Sequence, residues 1–166
     1  MATITFAGNP VHTNGNLPSK GTKAFDFTLV KTDLSELNLG ELKGKKVILN
    51  IFPSLDTGVC ANSVRRFNKE AVAMANTVVL AISKDLPFAH QRFCTTEGIT
   101  NVIPLSAFRN ADFEKQYGVL MEDGPLKGLF ARAIVLIDEN GAVAYSELVP
   151  EITQEPDYQA VIAALS

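Results

Sequence analysis

The stretch "KVILNIFPSLDTGVCANSV", residues 46–64, decides how the chain is read, because two periodicities meet inside it. "KVILNIF" (46–52) is a short apolar run of strand length and composition. Beyond Gly58 the apolar residues Val64, Phe67, Ala71 and Met74 recur at spacings of three and four, the period of a helix. Pro53 offers no N–H to a strand ladder, so it bends the chain out of the strand. A strand therefore feeds a helix through a short turn, and Cys60 sits where the helix begins.

The alternation continues downstream. "TVVLAIS" (77–83) reads as a second buried strand, and "LPFAHQRFCTTEG" as a helix opened near Pro87 and closed near Gly98. "NVIPLS" is a short strand, and "NADFEKQYG" a helix with Asn110 as candidate N-cap and Gly118 past its end. "ARAIVLID" and "AVAYSELV" flank the hairpin signal "ENG" (139–141), and "EPDYQAVIAALS" supplies a closing helix. Upstream, residues 3–16 read as a hairpin turning at Gly8, Asn9 and Pro10, and "FTLVKTDLSELNLGELKGK" as strand and turn material. The order β-α-β-α-β-α-β-β-α predicts an α/β fold with a mixed central sheet flanked by helices. It is the order of thioredoxin-like folds, here with an N-terminal β-hairpin. No repeat, low-complexity tract or linker divides the 166 residues, so one domain over 1–166 is expected, with 1–16 as the hairpin extension.

Composition narrows the function classes. With 46% hydrophobic and 20% charged residues the chain reads as an ordinary globular protein, and its formal charge of −3 supplies no basic field for nucleic acid. The amino terminus "MATITFAGNPVHTNG" has no basic and apolar signal regions, and no apolar run approaches a membrane span, so a cytoplasmic protein without membrane contact is expected. Cytosolic reductants keep thiols reduced, so two cysteines 34 positions apart read as chemical or incidental and not as a structural staple. "GELKGKK" (40–46) precedes a strand and lacks phosphate-loop spacing, so it is a plain turn. His12, His90, Cys60 and Cys94 match no zinc pattern, and no metal or organic cofactor is expected.

A cysteine in the first turn of a helix faces unpaired backbone N–H groups and the positive end of the macrodipole. Both favour thiolate over thiol, which makes a nucleophile. Thr57, three residues earlier, is placed to cap the helix or to donate to the sulfur. Position alone leaves other readings open: an inert buried thiol for Cys60, an ordinary cap for Thr57 and a routine strand-end proline for Pro53. The spacing P-x-x-x-T-x-x-C is what is specific.

"PSLDTGVC" resembles the peroxidatic motif of peroxiredoxins. "NIFPSLDTGVC", "RFC", "FRNADF", "YGV", "DGPLKGL", "ARAIVLIDENG" and "EPDY" are similar to the bacterial thiol peroxidase branch, of the atypical two-cysteine type, and the likeness covers nearly the whole chain. The resemblance implies reduction of hydrogen peroxide and organic hydroperoxides, with Cys60 peroxidatic and Cys94 resolving through an intramolecular disulfide. It assigns Pro53, Thr57 and Arg132 to the active site, and it implies a homodimer recycled by thioredoxin. From the residues alone, Arg132 at the head of an apolar strand also reads as an arginine snorkelling to water, and Cys94 as a core cysteine. Arg65 and Arg66, more than a turn into the helix, read as a solvated face. His90, one turn before Cys94, reads as solvated. Leu55, Leu129 and Phe130 lie near the motifs and hint at an organic hydroperoxide. The rival enzyme class, a thiol–disulfide oxidoreductase, normally carries C-x-x-C at the helix start, where this chain has Thr57. A redox-sensing module on the same fold is the non-enzymatic alternative.

Overall fold

The computed structural model describes residues 1–166. An antiparallel hairpin, β1 (Thr3–Phe6) and β2 (Asn9–His12), precedes a seven-stranded mixed sheet. The sheet strands are β3 (Thr28–Val30), β4 (Glu36–Asn38), β5 (Lys46–Ile51), β6 (Thr77–Ser83), β7 (Ile103–Ser106), β8 (Ala133–Ile137) and β9 (Val143–Leu148). The helices are α1 (Gly58–Ala71), α2 (Pro87–Glu97), α3 (Ala111–Tyr117) and α4 (Tyr158–Ala164). Strand order is β4-β3-β7-β6-β5-β8-β9. Strands β5, β6 and β7 run parallel, and β8 returns antiparallel beside β5.

The central strand β5 is apolar on both faces because both are covered. Val47, Leu49 and Ile51 enter a core with Phe27, Phe113, Tyr117 and Phe130, which puts α3 on that side. Ile48 and Phe52 enter a second core with Val64 and Phe67 of α1 and Tyr158 and Val161 of α4. Each such side chain contributes roughly 1.5–3 kcal/mol on burial, so the apolar stripe of α1 fixes that helix against the sheet. Cys60 belongs to this second core, and Cys94 packs against it from α2.

The hairpin differs from expectation in one detail. Ala7 and Gly8, at φ 50° and 83°, form a two-residue turn, and Asn9 and Pro10 lie within β2 opposite Phe6 and Thr5. A tight turn with two positive φ angles matches strand twist, and Pro10 is tolerated because this strand is an edge. Ile4 and Val11 anchor the hairpin on Met121, Ala131 and Ile152. "GELKGKK" is indeed a turn: a 3₁₀ turn over Leu39–Leu42, capped reciprocally by Asn38 and Glu41, leads into β5. No helix is long and apolar enough to cross a membrane.

Candidate active site

Strand β5 makes its last sheet bond through Phe52 N–H to the carbonyl of Ile82, 3.1 Å, and buried Pro53 then turns the chain away. Thr57, extended at φ −103° and ψ 145°, is the N-cap of α1, and the Ala61 N–H donates to its carbonyl at 3.0 Å. Its hydroxyl neither caps the helix nor reaches the sulfur. It donates to the carbonyl of Ser54 at 3.0 Å, closing the turn that leads to Cys60. Cys60 sits in the first helical turn, wholly buried, after the exposed residues Asp56, Thr57 and Gly58.

Arg132 lies one residue before β8, between Ala131 and Ala133, and is only 1% exposed. The snorkelling reading therefore fails: the guanidinium ends inside, on the Ile152 carbonyl and the Cys60 sulfur. Its Nη2 donates to Cys60 Sγ at 3.4 Å, its Nε donates to the carbonyl of Ile152 at 3.0 Å, and its buried Nη1 has no partner. The Val149 N–H in turn holds the Arg132 carbonyl at 2.9 Å. A buried guanidinium with one free nitrogen, beside a sulfur at a helix start, is a site prepared for an incoming polar group.

Cys94 occupies the last turns of α2, half-buried, and burial pushes its thiol up from the usual range. Both cysteines are free thiols. The Cys94 carbonyl accepts from Gly98 and Ile99, where Gly98 at φ 68° closes the helix left-handed. Arg65 is not simply solvated: it pairs with Glu97 at 2.7 Å and lies over Phe93, tying α1 to the end of α2. Arg66 pairs with Glu70 and lies over Tyr158.

His90 is buried, contrary to expectation, and burial holds it down to about 4 against the opposing field of Asp85. Phe130 points into the core on the face away from Cys60, and Leu129 packs by the hairpin, so of the three apolar residues only Leu55 shares the Cys60 cluster. No three His, Cys, Asp or Glu side chains converge as a metal-holding group. Sequence reasoning missed Ser54, Asp85 and the Ile152 carbonyl, all joined to the site by contacts between distant positions.

The family described as Redoxin matches residues 19–162. A thiol peroxidase of Corynebacterium glutamicum is 54% identical over 166 residues, covering all of both chains. A thiol peroxidase of Mycobacterium bovis is 56% identical over 165 residues and 99% of each chain. The chain belongs to the redoxin family, in its thiol peroxidase branch. It is a thiol-dependent peroxidase of the peroxiredoxin type, built on the thioredoxin-like fold with an added hairpin. Its backbone follows that of a peroxiredoxin-like protein from Aquifex aeolicus at a TM-score of 0.94, with 41% identity over 99% of this chain and 96% of that one.

Proposed function

We propose that Cys60 is the peroxidatic cysteine and that Cys94 resolves it. The observation that carries this reading is the 3.4 Å contact from Arg132 Nη2 to Cys60 Sγ, beside the unpartnered Nη1. The Cys60 thiolate attacks one peroxide oxygen and the O–O bond breaks. The leaving oxygen takes a proton and departs as water or alcohol, and Cys60 is left as sulfenic acid. Negative charge passes from sulfur to oxygen during the step, so a fixed guanidinium and the free N–H groups of the α1 terminus stabilise the transition state. Pro53 and Thr57 shape the turn that presents the sulfur. The Cys94 thiol then displaces the sulfenic hydroxyl as water, and the Cys60–Cys94 disulfide forms.

Two electrons from thioredoxin restore both thiols in this reading. Hydrogen peroxide and organic hydroperoxides are the substrates, and the whole chain, hairpin included, works as one domain in a cytoplasmic homodimer. The supports are the full-length likeness to thiol peroxidases and the hairpin's packing beside Ile152, the partner of Arg132. Peroxide consumption with and without a thioredoxin system, in wild type and Cys60→Ser, tests it. Turnover should need both thioredoxin and Cys60, and one equivalent of peroxide should yield a Cys60–Cys94 disulfide by non-reducing mass analysis. Substantial turnover in Cys60→Ser would sink the assignment.

A further inference from the structure

The segment from Pro53 to Thr57 belongs to no element, and two side chains from elsewhere hold it: exposed Arg92 of α2 donates to Asp56 at 3.1 Å, and the half-buried Asp85 binds at two points. The Asp85 carboxylate accepts from the Leu55 N–H at 2.8 Å, from Ser54 Oγ at 2.8 Å and from Ser83 Oγ at 2.6 Å. Within the segment, Ser54 carries the rest: its hydroxyl accepts from the Asp56 N–H, and its carbonyl from the Thr57 N–H and hydroxyl. Asp85 thus fixes the one residue on which the turn before Cys60 is folded. Asp85 is itself fixed, because its N–H donates to Ser83 Oγ at 3.2 Å and its carbonyl accepts from Ser106 Oγ at 2.5 Å.

The same carboxylate reaches the helix that bears Cys94. The Ser83 hydroxyl has a single proton, which it donates to Asp85. It must therefore accept from His90 Nε2, 3.1 Å away, and His90 is the neutral tautomer protonated on Nε2. His90 Nδ1 is then a bare buried acceptor, in keeping with its lack of any partner. His90 and Cys94 are four residues apart on α2, so the chain Leu55–Asp85–Ser83–His90 is a buried tie between the two cysteine-bearing segments, beside the exposed Arg92–Asp56 and Arg65–Glu97 pairs.

We infer that Asp85 is a positioning residue that holds the turn before Cys60 in its attacking form and restrains the two segments from rearranging into the disulfide. The inference rests on Cys60 being the attacking sulfur. Charge-assisted bonds to a half-buried carboxylate are strong, and three of them converge here. Asparagine keeps one oxygen for Leu55 and Ser83, but it loses the charge and turns an NH₂ donor toward the Ser54 hydroxyl, which itself donates to Asp85. Loss of Asp85 should therefore act with opposite signs on the two chemical steps. Attack on peroxide slows because the turn no longer holds the sulfur against Arg132. Disulfide closure quickens because the turn unwinds more readily.

Rapid-quench single turnovers with hydrogen peroxide, read by mass after thiol blocking, separate the two steps. Asp85→Asn should slow formation of the Cys60 sulfenic acid by about tenfold, the loss of one charge-assisted bond. It should speed conversion of sulfenic acid to disulfide severalfold. Ser54→Ala, which removes a single hydroxyl, should shift both rates in the same directions by less, and Asp85→Glu should restore part of each. Both rates unchanged, or both slowed together as in a merely unstable protein, would overturn the inference and leave the role of Cys60 standing. A wild type that forms neither species at Cys60 would overturn both.

Discussion

Replacing Arg132 by Met removes the charge and every donor while keeping most of the length and apolar volume of the side chain. With the sulfur ionised, the guanidinium and thiolate stand 3.4 Å apart. At an effective dielectric of about 20 their attraction is about 5 kcal/mol, a ceiling for what the pair contributes. During attack this charge moves to the departing oxygen, so the relevant quantity is the loss of one prepared donor in a buried site. That loss costs roughly 10² to 10³ in rate, or about 2.7–4 kcal/mol. The fold should respond differently. Arg132 is 1% exposed and one of its nitrogens is unpaired, so Met relieves a desolvated charge, and with Cys60 as a neutral thiol no buried charge is left without its partner. The Ile152 carbonyl loses its partner, which returns about 1 kcal/mol. Arg132→Met should thus lower kcat/KM for peroxide by roughly two orders of magnitude or more while Tm holds or rises. Competition with a haem peroxidase for limiting peroxide gives the rate, and thermal unfolding by circular dichroism gives Tm. A near wild-type rate, or a rate that falls only with the folded fraction, would refute the electrostatic role. Arg132→Lys should be intermediate, since one ammonium does not span both Ile152 and the sulfur.

Cys94→Ser should complete the first reduction and then stall as Cys60 sulfenic acid, trapped by a carbon nucleophile, because no internal thiol can condense with it. Acid should destabilise the protein through His90. Its folded value, about 4 against 6.5 when unfolded, means that the unfolded chain binds the proton first. Stability is then full above pH 6.5 and falls between there and about 4, by as much as roughly 3 kcal/mol, and His90→Gln should flatten that part of the urea-unfolding profile. Glu151, held down to about 2 by the Thr153 and Gly8 N–H groups, has its stabilising effect above the ordinary carboxylate range and loses it as pH falls through about 2. Glu151→Gln should loosen the hairpin and, through Ile152, slow peroxide attack modestly; an unaltered rate in a variant with a demonstrably mobile hairpin would disconnect the two. Hydrogen exchange on the disulfide form should show faster exchange near residues 57–62 than in the reduced form, and equal protection there would argue against unwinding.

What was legible in the sequence is what local patterning controls. The apolar run 46–52, the period-of-three-and-four stripe through Val64 and Phe67, and glycines at 98 and 118 each specify an element without reference to the rest of the chain, and those elements stand. The hairpin turn was misplaced by a residue or two because Gly8, Asn9 and Pro10 all favour turns, and only strand register selects Ala7–Gly8. The site was legible in part. Cys60 at a helix start is a local signal, but the burial of Arg132 follows from the packing of β8 against β5 and from a carbonyl 20 residues away. Asp85 left no sequence mark, because a carboxylate two residues before Pro87 looks like any helix approach. Its three partners come from two separate strand ends. His90 looked solvated for the same reason: its burial depends on Ser83, across a turn.

The two helix ends that carry the sulfurs are not equally firm, and this decides which yields upon oxidation. A disulfide requires Cα atoms within about 4.4–6.8 Å and converging Cβ vectors, while Cys60 is held in a buried contact with Arg132. Around Cys94 the helix end is closed twice, by Gly98 and Ile99 bonding to the Cys94 carbonyl, and the Arg65–Glu97 pair braces it from α1. Around Cys60 the helix opens with Gly58, which loses more freedom on folding than any other residue, and its cap has no side-chain bond. The first turn of α1 is therefore the weaker of the two, and the turn that leads into it is restrained from outside, by the bonds from Ser54 and Leu55 to Asp85 and by the exposed Arg92–Asp56 pair. Unwinding should begin there, carry Cys60 away from the guanidinium and toward α2, and stop where Ser63 is anchored, its hydroxyl receiving from buried Asn50 at 3.1 Å. Exchange accelerated at 90–97 and unaltered at 57–62 would reverse the order of events, with α2 and not α1 giving way.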